Sequence, residues 1–299
     1  MKYLSFVFIF VIVIALCGCS TNNTPAIVIQ TDFGLKDGAV AEMKGVIFKE
    51  SSNTRVFDLT HEIPAYNIWE AAYRLQQTAP YWPKGTIFIS VVDPGVGTQR
   101  KGVVLKTKNG YFFVTPDNGT LTLIAETMGV ASLRQIDEKL HHREGSSNSY
   151  TFHGRDIFAY TAAELASGKI KFEQVGPEMP PKVVKMPYQK PVFSNGKIKG
   201  NIPVLDPQYG NVWTNIDTAV FNTLKVKHGD TLHVEIMHLD TLVYAGKIPY
   251  AKSFGNVPEG EALAYQNSLM NFSLAINMGN FASRFHISNG ADWNIEVRK

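Results

Sequence analysis

The sequence predicts an α/β first domain with a mainly parallel sheet, followed by a smaller all-β domain. Three observations lead there. Apolar, β-prone runs alternate with helical patterns as far as Gly168. Breakers then cluster at Gly176-Pro177, Pro180-Pro181, Pro187 and Pro191. Beyond about Lys197 the pattern is short strands and turns.

The elements follow in order. Ala26–Thr31 is a short buried-strand pattern ending at Asp32-Phe33-Gly34. Asp37 is placed to cap a helix running to about Glu50, with Val40, Met43, Val46 and Ile47 near one face. Arg55–Leu59 is a second strand and about Ile68–Thr78 a second helix. Thr86–Val92 is a third strand, and Val103–Thr107 with Tyr111–Val114 forms a hairpin around Asn109-Gly110. Asp117-Asn118-Gly119 opens another helix. In the second half, strands are expected at Gly200–Leu205, Thr231–Met237, Thr241–Tyr244, Ala262–Asn267, Phe272–Asn277 and Trp293–Val297. The expected organisation is a signal segment over 1–19, a tether over 20–25, an α/β domain over 26–173, a Pro-rich linker over 174–198 and a β domain over 199–299.

The first residues set the expected compartment. Met1-Lys2-Tyr3 carries a positive charge, and Leu4–Leu16 is apolar except for Ser5. That run is short for a spanning helix of roughly 20 residues. Leu16-Cys17-Gly18-Cys19 reads as a lipobox with Cys19 as the lipidated residue, giving a lipoprotein of the bacterial cell envelope that faces outside the cytoplasm. Cleavage there would leave Cys19 as the only cysteine, so no intrachain disulfide is expected.

A net charge of +3 is too small to argue for a nucleic-acid partner. His141-His142 is a tempting metal pair, but adjacent side chains point apart and no third ligand is evident, so no metal is expected.

Two segments carry the chemistry. Val92-Asp93-Pro94-Gly95-Val96-Gly97-Thr98-Gln99-Arg100 places a carboxylate where a buried strand ends, the edge at which open α/β sheets bind ligands. Thr151-Phe152-His153-Gly154-Arg155-Asp156 places a histidine at a helix entrance. An Asp, an Arg and a His converging there can hold and polarise water. The plain alternatives are a turn-stabilising ion pair for Asp93–Arg100, a helix cap for His153 and an Asx-turn for Asp32. His61 is read as structural.

The ordered blocks Thr31-Asp32-Phe33-Gly34, Met43-Lys44-Gly45, Asp58-Leu59-Thr60-His61, Val92–Arg100, Pro116-Asp117-Asn118-Gly119, Phe152–Asp156, Gly210–Asn215 and Asn267-Ser268 resemble the S-adenosylmethionine hydroxide adenosyltransferases, relatives of the fluorinating and chlorinating enzymes. The resemblance implies a barrel-like C-terminal domain and a homotrimer with sites between subunits. It implies attack at C5′ of S-adenosylmethionine, which is the substrate, with no separate cofactor. The implied products are adenosine and L-methionine. Asp93, Arg100 and His153 would position the water. Asp32 would hold the ribose hydroxyls, and Tyr66 and Phe152 would wall the ribose. Asn211 and Phe254 would hold the adenine, Asp206 the methionine ammonium and Ser268 its carboxylate. Trp213 and Tyr265 would line the pocket.

The halogenating branch has a tyrosine at Asp93, a small hydroxyl residue near Val96 and a serine at Gly154, so this chain resembles the hydrolytic branch. A 5′-halogenase and a non-catalytic adenosyl-ligand-binding lipoprotein are the competing functions. Two positions depart from the family pattern: Tyr160 stands where proline is usual, and Met270 where glycine follows Asn-Ser.

Overall fold

The computed structural model describes residues 24–299. The segment expected as a lipobox, with the expected lipidation site Cys19, therefore lies outside the described residues. Among the described residues no helix is long and apolar enough to cross a membrane.

The first half is built on one seven-stranded sheet. Its strands are β1 (Ile27–Thr31), β2 (Val56–Thr60), β3 (Ile87–Val91), β4 (Gly102–Thr107), β5 (Phe112–Pro116), β6 (Val130–Gln135) and β7 (Glu178–Met179), in the order β2-β1-β3-β5-β4-β6-β7. β2, β1, β3 and β5 run parallel; β4, β6 and β7 are antiparallel to their neighbours. The sheet is mixed, with its parallel part at the end that carries the site.

Helices cover both faces. They are α1 (Ala39–Glu50), α2 (Ile68–Thr78), α3 (Thr122–Thr127) and α4 (Tyr160–Ser167). Strand alternation explains the layering, since successive side chains point to opposite faces. Ile27 and Ile29 pack with Met43 and Ile47 of α1 and Ala162 and Ala163 of α4. Val28 and Phe88 pack with Leu75 of α2 and Ile124 of α3. Asp37 accepts the Ala39 N–H at 3.0 Å, which supports the start of α1.

Several expectations need correction. Asp117-Asn118-Gly119 is a turn, and α3 starts later, at Thr122. Gly119 has φ 114°, which a helix start would not require. β6 was not expected. The segment expected as a linker contributes β7 to the first sheet and β8 (Val192–Ser194) to the second half.

The second half consists of two antiparallel sheets over one core. β8, β9 (Lys197–Asn201), β12 (Thr231–His238), β13 (Thr241–Pro249) and β16 (Trp293–Arg298) form the order β13-β12-β16-β9-β8. β10 (Val204–Leu205), β11 (Val212–Asp217), β14 (Ala262–Gln266) and β15 (Asn271–Ile276) form the order β10-β11-β15-β14. The strand expected over Gly200–Leu205 is broken at Ile202-Pro203, where proline lacks the N–H a ladder needs. Leu232, Val234 and Ile236 of β12 alternate inward onto Leu274 and Ile295. The two halves meet in a seam where Trp69, Tyr73 and Leu123 pack on Val204, with Trp213 and Leu269 against them.

Candidate active site

β1 lies between β2 and β3, so the chain leaves β1 and β3 side by side at the carboxyl edge of the sheet. α1 and α2 depart to opposite faces, which opens a crevice at that point. Asp32 follows β1 and Asp93 follows β3. A cleft of about 250 Å³ opens there, lined by Asp32, Tyr66, Asp93, Val96, Phe152, His153 and Gly154 among others.

Behind the cleft sits a buried ionic bracket. Arg100 Nε donates to both carboxylate oxygens of Asp93 at 2.9 Å, and its Nη2 lies 2.6 Å from Asp93 Oδ2. The side chains of Asp93 and Arg100 are only 5% and 9% exposed. The same Nη2 is 2.8 Å from His153 Nδ1. A guanidinium has only donors, so Nδ1 accepts and the ring proton sits on Nε2. Burial, and then the positive charge of Arg100, push the His153 pKa below its ordinary value. His153 is thus a neutral donor at Nε2. Phe158 lies under the guanidinium, with its ring centroid 5.3 Å from Arg100 Cζ.

The local fold explains this placement. Asn118 Nδ2 donates to the Val92 carbonyl at 2.9 Å, fixing the peptide that precedes Asp93. Thr98 hydroxyl bonds to Gly95 O at 2.7 Å, tightening the turn that returns Arg100. His153 enters a π-helical turn, Gly154–Ala159, that leads into α4. Asp156 in that turn is fully buried and is held by Arg143 at 2.9 Å and Arg155 at 2.8 Å. Burial alone would raise the Asp156 pKa, but the hydrogen bonds from Arg155, Arg143 and Ser149 hold it down at about 2. Arg155 also lies over the Phe152 ring at 4.8 Å, and Phe33 meets that ring edge-on at 5.7 Å. Asn118, Phe158 and Arg143 did not stand out in the sequence as parts of the site, because each acts through distant partners.

Asp32 Oδ2 accepts the backbone N–H of Tyr66 at 2.9 Å. Tyr66 has φ 67° and its side chain is highly exposed at the cleft. The second-half residues lie elsewhere. Asn211 and Phe254 line a separate cleft of about 550 Å³ with Tyr209 and Met278. Asp206 lines a neighbouring cleft with Gly210 and His286, and its Oδ1 accepts the Gln208 N–H at 3.1 Å. Tyr265 is buried behind Phe254, with ring centroids 5.0 Å apart. Ser268 is exposed on the turn joining β14 and β15. Trp213 packs in the seam between the halves. The 250 Å³ cleft shares no lining residue with either second-half cleft.

His61, His141 and His142 are held in structural contacts. His61 is buried, with Nδ1 2.9 Å from Thr31 Oγ1 and Nε2 2.9 Å from Asp58 Oδ1. His141 Nδ1 contacts Glu164 at 2.7 Å and Nε2 contacts Gln174 O at 2.9 Å. His142 instead pairs with Ser146 at 2.8 Å. Among the described residues no group of three potential metal ligands occurs.

Comparison with known proteins shows the family. Residues 27–176 match the SAM hydroxide adenosyltransferase N-terminal domain, and residues 200–294 match the C-terminal domain of the same family. The chain is 34% identical over 234 residues to a protein from Methanocaldococcus jannaschii named (R)-S-adenosyl-L-methionine hydrolase, covering 76% of this chain and 80% of that one. It is 25% identical over 291 residues to a fluorinase from Actinopolyspora mzabensis, covering 89% and 95%. A crystal structure of a conserved protein from Thermotoga maritima superposes with a TM-score of 0.84 at 37% identity, covering 91% of this chain and all of that one. The chain belongs to the SAM hydroxide adenosyltransferase family.

Proposed function

We propose that this chain hydrolyses S-adenosylmethionine to adenosine and L-methionine. The observation that carries the reading is the buried Asp93–Arg100–His153 bracket at the wall of the Asp32–Phe152 cleft. The sulfonium leaves as a neutral thioether and needs no protonation. The task left to the protein is to hold water in line with the C5′–S bond. Asp93 accepts a hydrogen bond from that water and then its proton, while His153 Nε2–H donates to the water oxygen. The O–C5′ bond forms as C5′–S breaks, and the proton passes through Asp93 to solvent. Asp32 keeps Oδ1 for a ribose hydroxyl while Oδ2 holds the Tyr66 loop. No cofactor is needed.

Relatives named hydrolase match at 32–34% identity, against 25% for the fluorinases. The cleft also disfavours the halogenase reading. A Cβ on Gly154 would sit 3.1 Å from Val91 Cγ1, so the serine of the halogenating branch would enter only if Val91 gave way. A carboxylate beside the nucleophile repels halide and binds water.

The separate clefts in the two halves support a homotrimer in which Asp32, Tyr66, Asp93 and Phe152 of one subunit face Asn211, Phe254, Asp206 and Ser268 of the next. Exposed Tyr66 and Tyr150 on one side and Tyr209 and Met278 on the other would be covered by that contact. In this reading the two second-half sheets close into a barrel-like unit, Cys19 carries the lipid anchor, and the protein faces outside the cytoplasm in the cell envelope.

The test is turnover by the full chain in heavy-oxygen water, with and without chloride. The expected products are heavy-oxygen adenosine and methionine in equal amounts. Asp93→Asn is expected to lower kcat by about 10²–10⁴-fold. A 5′-chloro nucleoside would support the halogenase, and ligand binding without turnover would support a binding lipoprotein.

A further inference from the structure

The two edges of the first sheet differ in charge. The carboxyl edge carries Asp32, Glu62, Asp93 and Asp117 beside Arg100 and Lys101. The amino edge is formed by the chain entering β1, β2 and β3 and by the β4–β5 turn. Backbone hydrogen bonds join it: Ile27 N to Arg55 O, Ile87 N to Ala26 O, Gly85 N to Gly110 O and Lys108 N to Gly129 O. Arg55, Lys84 and Lys108 are exposed along it. The segments Ser51–Arg55, Trp82–Thr86 and Lys108–Gly110 contain no Asp or Glu. Two carboxylates at the helix ends on this side are already paired, Glu50 with Lys169 and Glu126 with Lys185 and Lys190. Tyr81, 74% exposed, adjoins the row.

The chain reaches the fold at this edge. β1 lies between β2 and β3, so residues 24–26 arrive between Arg55 and Lys84. Six residues, and so seven Cα–Cα steps, separate Cys19 from Ala26. Fully extended, that chain spans at most about 25 Å, so a lipid on Cys19 keeps this edge close to the bilayer.

We propose that the amino edge of the first sheet docks on an anionic phospholipid bilayer. Arg55, Lys84 and Lys108 meet the headgroup phosphates, and Tyr81 enters the interface. The catalytic cleft, at the opposite edge, then opens away from the membrane toward dissolved substrate. The proposal rests on the lipid-anchored reading above.

The test is a lysine footprint. The full chain, purified from membranes, is reconstituted into vesicles of phosphatidylcholine alone or mixed equally with phosphatidylglycerol, then acetylated and read by mass spectrometry. On the anionic vesicles, labelling of Lys84 and Lys108 is expected to fall about fivefold, as about one favourable contact per cation implies, and to recover in high salt. Lys36, on the loop after Asp32, is expected to label equally on both. A variant carrying Arg55→Glu and Lys108→Glu is expected to lose the protection at Lys84 while keeping full turnover in detergent. Equal labelling of Lys84 on both vesicles overturns the docking surface. A Cys19→Ser chain that still fractionates with membranes removes the lipid anchor alone; docking then stands or falls on the footprint.

Discussion

His153 is usable only in its neutral form, because Arg100 occupies Nδ1 as a donor and leaves that nitrogen no room for a second proton. Its folded pKa lies below the ordinary 6.5, so between the two values the unfolded chain binds the extra proton. Stability from this residue is fully present above 6.5 and is lost as pH falls through the lowered folded value. Activity should follow the same direction. A plot of kcat/KM against pH is expected to be flat above 6.5 and to fall on a single acid limb below it. His153→Gln, which keeps an N–H donor but does not titrate, should remove that limb. A limb that survives in His153→Gln would assign it to another group. Met270 shows a cost at the same scale. It stands at φ 61° on the Asn267–Asn271 turn, in the left-handed region that favours glycine. An L-residue there costs roughly 1–2 kcal/mol, partly offset by the chain entropy glycine loses on folding. Met270→Gly should therefore stabilise by about 0.5–1 kcal/mol in urea unfolding, and a lower urea midpoint would contradict the assignment.

At the scale of elements, the π-helical turn Gly154–Ala159 positions His153, and Asp156 holds that turn. Its carboxylate is fully buried between Arg143 and Arg155, and its pKa falls from the ordinary 3.8 to about 2. The folded state therefore binds the proton less readily than the unfolded chain. Its stabilisation, about 2 kcal/mol, is present above pH 3.8 and is lost as pH drops toward 2. Acid unfolding of Asp156→Asn should lack that increment between the two pH values, and an identical acid profile would show that the arginines do not depend on this charge. The turn also marks a limit of what the sequence discloses. β1, α1, β2, α2, β3 and the β4–β5 hairpin were legible, because β1 and β3 are short continuous apolar runs, the helices place apolar residues on one face, and the hairpin has Asn-Gly at its tip. β6 was not, since Ala131 and Ser132 are poor strand formers and only Leu133 within it is fully buried. β11 was obscured by Thr214, an inward position whose hydroxyl donates to Phe272 O at 2.7 Å instead of packing as an apolar side chain. A π-turn has no local signature at all, as its wider hydrogen-bonding leaves composition unchanged. The pairing of Asp93 with Arg100 spans one short turn and was visible; the approach of His153 from 53 residues away depends on the whole sheet.

The whole molecule holds what resembles two halves of one site. The Asp93–Arg100–His153 bracket and the Asp32–Phe152 cleft lie on the first half, and Asn211 and Phe254 lie in a cleft of the second half that shares no residue with the first. A head-to-tail trimer would join the first half of each subunit to the second half of its neighbour, closing three equivalent sites. This arrangement can be tested by complementation. Asp93→Asn disables the first-half contribution, and a chain carrying Asn211→Ala with Phe254→Ala disables the second. Alone, each variant should be close to inactive. Mixed equally by co-expression or by dissociation and reassembly, a site is intact only where an unaltered first half meets an unaltered second half. Random assembly gives that combination at roughly a quarter of the sites, so activity should return to about that fraction of wild type. A site contained within one chain predicts no recovery at any mixing ratio, because every chain in the mixture then carries a disabled half. Recovery near a quarter would also require the sulfonium substrate to bridge two subunits, which ties turnover to assembly and makes specific activity fall on dilution below the trimer's dissociation range.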